Sequence, residues 1–151
     1  MIQLELAGEN ALILYLPAEI SEKNLSQLQQ VQLQVRLLLG EQLQELLPSY
    51  ASLLIVLKPD HQGLLMIKTL LEQQLSLSQS VKEQASRLVV LPVYYHKAWD
   101  LEAVAKRAGL SPTQLIDLHQ SVDYRVYAIG FAPGFAYLGE LDQRLATPRL
   151  V

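Results

Sequence analysis

One segment constrains this chain more than any other: Gly130-Phe131-Ala132-Pro133-Gly134-Phe135-Ala136-Tyr137-Leu138-Gly139-Glu140-Leu141-Asp142, followed by Leu145-Ala146-Thr147-Pro148-Arg149. Its glycines and prolines require a backbone that turns, with left-handed or closely approached positions, while Phe131, Phe135 and Tyr137 bring large apolar faces. Pro133 and Gly134 suit the two central positions of a type II turn begun at Ala132. Past the turn, an extended backbone places Phe135 and Tyr137 on one face. Such a hairpin either plugs a core with aromatic rings or forms a ligand-binding loop. Glu140, Asp142, Arg144 and Arg149 follow closely, and backbone N–H groups around glycines can form an anion-binding nest to which an arginine adds charge. The chain stops at Leu150-Val151, two apolar residues with no partner strand after them, and reads as a protein cut short.

The 151 residues, 50% of them hydrophobic, are enough for a real core in one ordinary domain or two small ones. A net charge of -3 with 12 scattered basic residues argues against a nucleic-acid surface. With no cysteine, neither a disulfide framework nor a thiolate zinc site can form. The N-terminus lacks the basic start and apolar run of a signal peptide, and the apolar stretches are too short and too interrupted to span a membrane. The cytoplasm is the expected location.

Along the chain, Ile2, Leu4 and Leu6 alternate with polar residues, and residues 11–16 form a second apolar run after Gly8-Glu9-Asn10, which reads as a hairpin. Ser21 is a candidate N-cap for a helix that carries Leu25, Leu28, Val35 and Leu38 on one face and stops at Gly40. Residues 31–35 also alternate with period two, so a strand competes there, but length favours the helix. Strands are expected over 43–47 and Ser52–Leu57, and a helix over 62–75 that buries Leu65, Ile67, Leu70, Leu71 and Leu75. The order β-β-α-β-β-α predicts an α+β domain over 1–83 with helices on one face of an antiparallel sheet. In the second half, the continuous apolar run 87–95 reads as a strand. Asp100 is a candidate cap for a helix ended by Gly109, Ser111-Pro112-Thr113-Gln114 has the capping-box pattern, and 124–129 alternates as a strand.

Several local patterns lead nowhere. Residues 101–120 look like a helix-turn-helix, but the second helix offers no Arg or Lys to meet phosphate or guanine. Gly63 to Lys68-Thr69 lacks the second glycine of a phosphate loop. His61, His96 and His119 show no recognised metal spacing. His119 and Asp123 stand four apart near a helix end, where a histidine is favoured by the helix dipole and can also handle protons. No G-x-S-x-G elbow is present and there is no cysteine nucleophile.

The segment 130–149 closely resembles the signature of the KipI-like family, which includes the B subunit of bacterial ATP-dependent 5-oxoprolinase and the first subunit of allophanate hydrolase. Support comes from Leu91-Pro92-Val93-Tyr94-Tyr95, Asp100-Leu101-Glu102-Ala103-Val104-Ala105, and Leu118-His119 with Tyr124-Arg125-Val126, and more weakly from Gly8 to Leu16 and from Pro48-Ser49-Tyr50 to Pro59. The chain departs from the pattern at His96-Lys97-Ala98-Trp99, where a glycine-rich approach is expected. The resemblance implies that the α+β domain is followed, over 84–151, by the first part of a cyclophilin-like β-barrel. It implies ATP-dependent (Mg2+) opening of 5-oxo-L-proline to L-glutamate in a hetero-oligomer with the C and A subunits of 5-oxoprolinase. On that basis Gly130, Phe131, Pro133, Gly134, Phe135, Tyr137 and Gly139 are candidate substrate- or nucleotide-binding residues, and His119 and Arg149 the catalytic candidates. An incomplete barrel would leave edges uncovered, so the fragment alone is expected to be inactive and to self-associate. Two rivals share the signature: a regulatory inhibitor of a sensor histidine kinase, and an allophanate hydrolase or urea amidolyase module.

Overall fold

A computed structural model describes residues 3–61, 63–75, 87–96 and 99–148. The chain divides into two compact units. One comprises the described residues of Met1–Ala85 with Tyr127–Tyr137, the other those of Ser86–Val126 with Leu138–Val151.

In the first unit, β1 (Gln3–Leu6) and β2 (Ala11–Tyr15) form a hairpin, closed by a bond from the Ala7 N–H to the Ala11 carbonyl at 2.9 Å. The chain then enters α1 (Glu22–Leu39), followed by β3 (Leu43–Pro48), β4 (Ser52–Leu57) and α2 (Leu64–Gln74). The four strands make one antiparallel sheet in the order β1-β2-β4-β3. Register pairs Leu4 with Leu14, Leu14 with Leu53, and Leu12 with Ile55, so the side-chain alternation puts these leucines and Ile55 on one face. Against that face lie Leu28, Val31, Val35 and Leu39 of α1 and Ile67 and Leu71 of α2, in a single core. Each fully buried leucine or isoleucine there contributes about 1.5–3 kcal/mol of transfer free energy.

Local chemistry explains the ends of α1. The Ser21 hydroxyl accepts from the Asn24 N–H, and the Gly40 N–H donates to the Arg36 carbonyl with Gly40 at φ 49°. Asn24 is itself buried, and its amide donates to the carbonyls of Pro17 at 2.8 Å and Glu19 at 2.6 Å, tying the loop before the helix to its first turn. The period-two reading of 31–35 yields to the helix, because Val31 and Val35 lie one turn apart on the buried stripe. Leu25 and Leu38, expected on that stripe, flank it half-buried. In α2, Leu65 is exposed, contrary to expectation; the stripe runs through Ile67 and Leu71, so Leu65 falls outside it.

In the second unit, α3 (Leu101–Ala108) and α4 (Pro112–Gln120) pack through Leu101, Ala105 and Leu115, with Leu145 from a 3-10 turn (Gln143–Leu145) joining the cluster. The capping box is complete: the Ser111 hydroxyl accepts from the Gln114 N–H and the Gln114 side chain from the Ser111 N–H. Gly109 ends α3 in the left-handed conformation, φ 68°. Asp100 occupies the N-cap position of α3 without a capping bond, because its backbone (φ -86°, ψ 3°) lacks the extended geometry that aims a cap side chain at the helix N–H groups.

The strand expected over 87–95 is corrected: residues 87–96 join no ladder among the described residues, and Leu88, Val90 and Leu91 are exposed. An apolar run makes a strand only where a partner backbone receives it. A two-stranded ribbon, β5 (Arg125–Ile129) with β6 (Ala136–Gly139), carries the turn between them. No helix among the described residues is long and apolar enough to cross a membrane.

Candidate functional site

The turn at Ala132-Pro133-Gly134-Phe135 has the geometry its sequence asks for. The Phe135 N–H donates to the Ala132 carbonyl at 3.0 Å, and Gly134 has φ 77°, the left-handed position of a type II turn. Phe131 also takes a left-handed conformation, φ 58°, which is unusual for a bulky residue, and the residue is 92% exposed. The Gly130 N–H is spent on the Phe135 carbonyl at 2.9 Å, closing the ribbon, and so is not a donor to an anion.

The aromatic rings of this hairpin form a connected series. Phe131 meets Phe135 edge-on at 5.4 Å, Phe135 meets Tyr137 at 5.1 Å, Tyr137 meets Tyr50 at 6.1 Å, and Tyr50 meets Tyr127 at 5.9 Å. Tyr50 lies in the β3–β4 turn, so the series joins the sheet of the first unit to the hairpin. One end is buried at Tyr127 and the other exposed at Phe131. The hairpin is therefore partly a packed turn and partly a presented apolar surface.

The second unit holds a cleft of about 340 Å³. Leu101, Val104, Leu115 and Leu145 give it apolar walls, while Tyr94, Tyr95, His96, Trp99, Asp100 and His119 supply aromatic and polar groups. His119 stands in the last turn of α4. Its Nδ1 lies 2.6 Å from the Tyr95 hydroxyl, and the Tyr124 hydroxyl donates to the His119 carbonyl at 2.8 Å. The Tyr124 ring lies 5.2 Å from the imidazole and the Tyr95 ring 5.8 Å, nearly perpendicular. Burial, then the neighbouring Tyr95 and Asp142, push the Tyr124 phenol above its ordinary value and keep it a donor. The residue four positions on, Asp123, is not the partner of the imidazole; a tyrosine far away in sequence is.

Beside the cleft residues Leu141 and Leu145, Asp142 and Arg144 form a two-pronged pair. Arg144 Nε donates to Oδ1 at 3.0 Å and Nη2 to Oδ2 at 2.9 Å, and the Arg144 N–H caps the turn on Oδ1 at 2.9 Å. The Arg144 bonds hold the Asp142 carboxyl down to about 2. Arg144 is thus engaged rather than a spare charge for a ligand.

The sequence-derived site residues fall in different places. Phe131, Phe135 and Tyr137 are brought together in the first unit with Gly130, Pro133 and Gly134, whereas His119 and Gly139 belong to the second; Arg149 lies outside the described residues. Sequence reasoning missed Tyr50, Tyr95 and Tyr124 as partners of these residues. Tyr50 and Tyr95 stood in segments that carried the family resemblance, but no local rule pairs a tyrosine with a ring or imidazole so distant in the chain. Among the described residues, no group of three His, Cys, Asp or Glu gathers to hold a metal ion.

A family model described as carboxyltransferase domain, subdomain C and D, matches residues 2–151, and the chain belongs to this family. Within it, the chain is similar to the B subunit of 5-oxoprolinase from Escherichia coli O157:H7, 36% identical over 150 residues that cover 95% of this chain and 66% of that protein. It is also similar to the B subunit of 5-oxoprolinase from Bacillus subtilis (strain 168), 42% identical over 85 residues, 55% of this chain and 35% of that one. Among solved structures, TTHA0988 in space group P212121 is 30% identical with a TM-score of 0.73, covering 99% of this chain and 28% of that chain. The chain thus spans about two thirds of the first relative's length and about a third of the second's. The resemblance read from the glycine-aromatic segment is met by these relatives.

Proposed function

We propose that the chain belongs to a B subunit of ATP-dependent 5-oxoprolinase, which works with the C and A subunits in the cytoplasm to open 5-oxo-L-proline to L-glutamate. The observation that carries this is the similarity to proteins named as the B subunit of 5-oxoprolinase, one of which is matched along 95% of the chain. In the same reading residues 1–83 are a small α+β domain and 84–151 open a cyclophilin-like barrel.

A lactam is a poor electrophile, so ATP would supply the activation of its carbonyl, and the protein would contribute positioning and charge stabilisation. The polar groups of the cleft are two imidazoles, one carboxylate, two tyrosine hydroxyls and the Trp99 indole N–H, with no Lys or Arg among the described lining residues. That set does not fit a triphosphate with Mg2+. In this reading the nucleotide is bound at the assembled complex, as the family resemblance implies. What the cleft fits is a small organic molecule with an amide-like edge, for which His119 supplies the proton-handling group. Phe131, Phe135 and Tyr137 offer an apolar surface, and Gly134, Gly139 and Arg149 are the candidate contacts to an anionic group.

The test is 5-oxoproline-stimulated ADP release from ATP by the full-length protein assembled with the C and A subunits. Stimulation that requires this protein supports the reading; equal stimulation without it refutes the reading and favours a kinase-regulating role.

A further inference from the structure

We infer that Tyr95 is a positioning residue which holds His119 in the tautomer with its proton on Nε2, so that His119 presents an N–H donor to the carbonyl of a small carboxamide in the cleft. Naming the lactam as that carboxamide rests on the oxoprolinase reading; the tautomer does not.

The geometry argues for a donor tyrosine. A phenol gives a hydrogen bond more strongly than it accepts one, and a neutral imidazole has one nitrogen that only accepts. At 2.6 Å, Tyr95 Oη and His119 Nδ1 are at the short end of the range for such bonds. With the phenolic proton aimed at Nδ1, the imidazole proton resides on Nε2. The imidazole is packed by two rings, Tyr124 at 5.2 Å and Tyr95 at 5.8 Å, which keeps Nδ1 on the Tyr95 hydroxyl. Leu101, Val104 and Leu115 line the same cleft, and an apolar surrounding strengthens a donor that meets a carbonyl there.

The arrangement also separates the two catalytic expectations for a histidine. A general base needs a bare Nε2; an amide-polarising donor needs Nε2–H. Tyr95 selects the second.

The experiment is nitrogen NMR of the full-length protein labelled with 15N-histidine, with His119 assigned by loss of its signals in His119→Gln. The expected spectrum at neutral pH has the His119 Nδ1 resonance at the unprotonated, downfield position and the Nε2 resonance at the protonated, upfield one. In Tyr95→Phe the two should move toward averaged positions, and binding of 5-oxoproline, followed by titration into the same sample, should weaken about fivefold. Reversed resonances in the wild type, with the proton on Nδ1, overturn the inference whatever the variant does. Unchanged His119 signals in a folded Tyr95→Phe overturn it as well. If Tyr95→Phe fails to fold, the wild-type protein decides through the Tyr95 hydroxyl proton, which should couple to His119 Nδ1 across the hydrogen bond; absence of that coupling overturns the inference. A correct tautomer with no 5-oxoproline-dependent change contradicts the lactam as ligand and leaves the tyrosine's role standing, so the two failures are distinguishable.

Discussion

Leu53 and Leu37 offer the same chemical change in opposite surroundings. Leu53 is fully buried in β4, paired with Leu14 on one side and Pro48 on the other, whereas Leu37 on α1 is 85% exposed. Replacing Leu53 by alanine removes buried methyl and methylene groups at a site where both neighbouring strands are fixed by ladder bonds, so the void cannot close by moving the backbone. The expected loss is about 3 kcal/mol, within the usual span for buried leucines. Leu37→Ala removes little buried surface and gains slightly in helix propensity, so its change stays within about 0.5 kcal/mol. Urea unfolding of the full-length protein and both variants, followed by far-UV circular dichroism, reads the difference directly. With a slope of about 2 kcal/mol per molar urea, the Leu53→Ala midpoint should fall by about 1.5 M at unchanged slope while that of Leu37→Ala stays in place. Equal midpoints for the two variants would refute the assignment of the core to this face of the sheet.

Two further outcomes follow from the sites described. Gly134→Ala puts a Cβ into open space but at φ 77°, so the cost is purely conformational, about 1 kcal/mol, and exchange of the Phe135 N–H should quicken about fivefold; an unchanged rate would contradict the turn. The Asp142 carboxyl is depressed from 3.8 to about 2 by Arg144, so its contribution to stability is present above pH 3.8 and disappears as pH falls through about 2. Carboxyl-carbon NMR should show Asp142 titrating near 2 in the wild type and near 4 in Arg144→Ala, and a wild-type midpoint near 4 would exclude the pair.

What could be read from the sequence was what short-range chemistry decides. Ser21, the Ser111-to-Gln114 box, Gly40, Gly109 and the Pro133-Gly134 turn each act within a few residues of themselves, and each stands in the structure as its local pattern implies. Errors came where a distant partner decides. Residues 87–95 had the apolar content of a strand, but content does not supply the second backbone that makes a ladder. Leu65 had helical spacing, yet the phase of α2 is set by the sheet surface it meets. Asp100 had the right residue type for a cap and the wrong backbone angles. At the candidate site, His119 was visible as a histidine near a helix end, but its governing contact comes from Tyr95, on the other side of α3 in sequence. The aromatic hairpin was legible as a unit, while its anchor, Tyr50, lies in a turn of the sheet.

The role of this protein in opening 5-oxoproline is decided by glutamate release from 5-oxoproline when the full-length protein is reconstituted with the A and C subunits and ATP, with each component withheld in turn. Release should vanish without this protein and without ATP, and should fall sharply in His119→Gln. Release that continues undiminished when this protein is withheld would contradict that role.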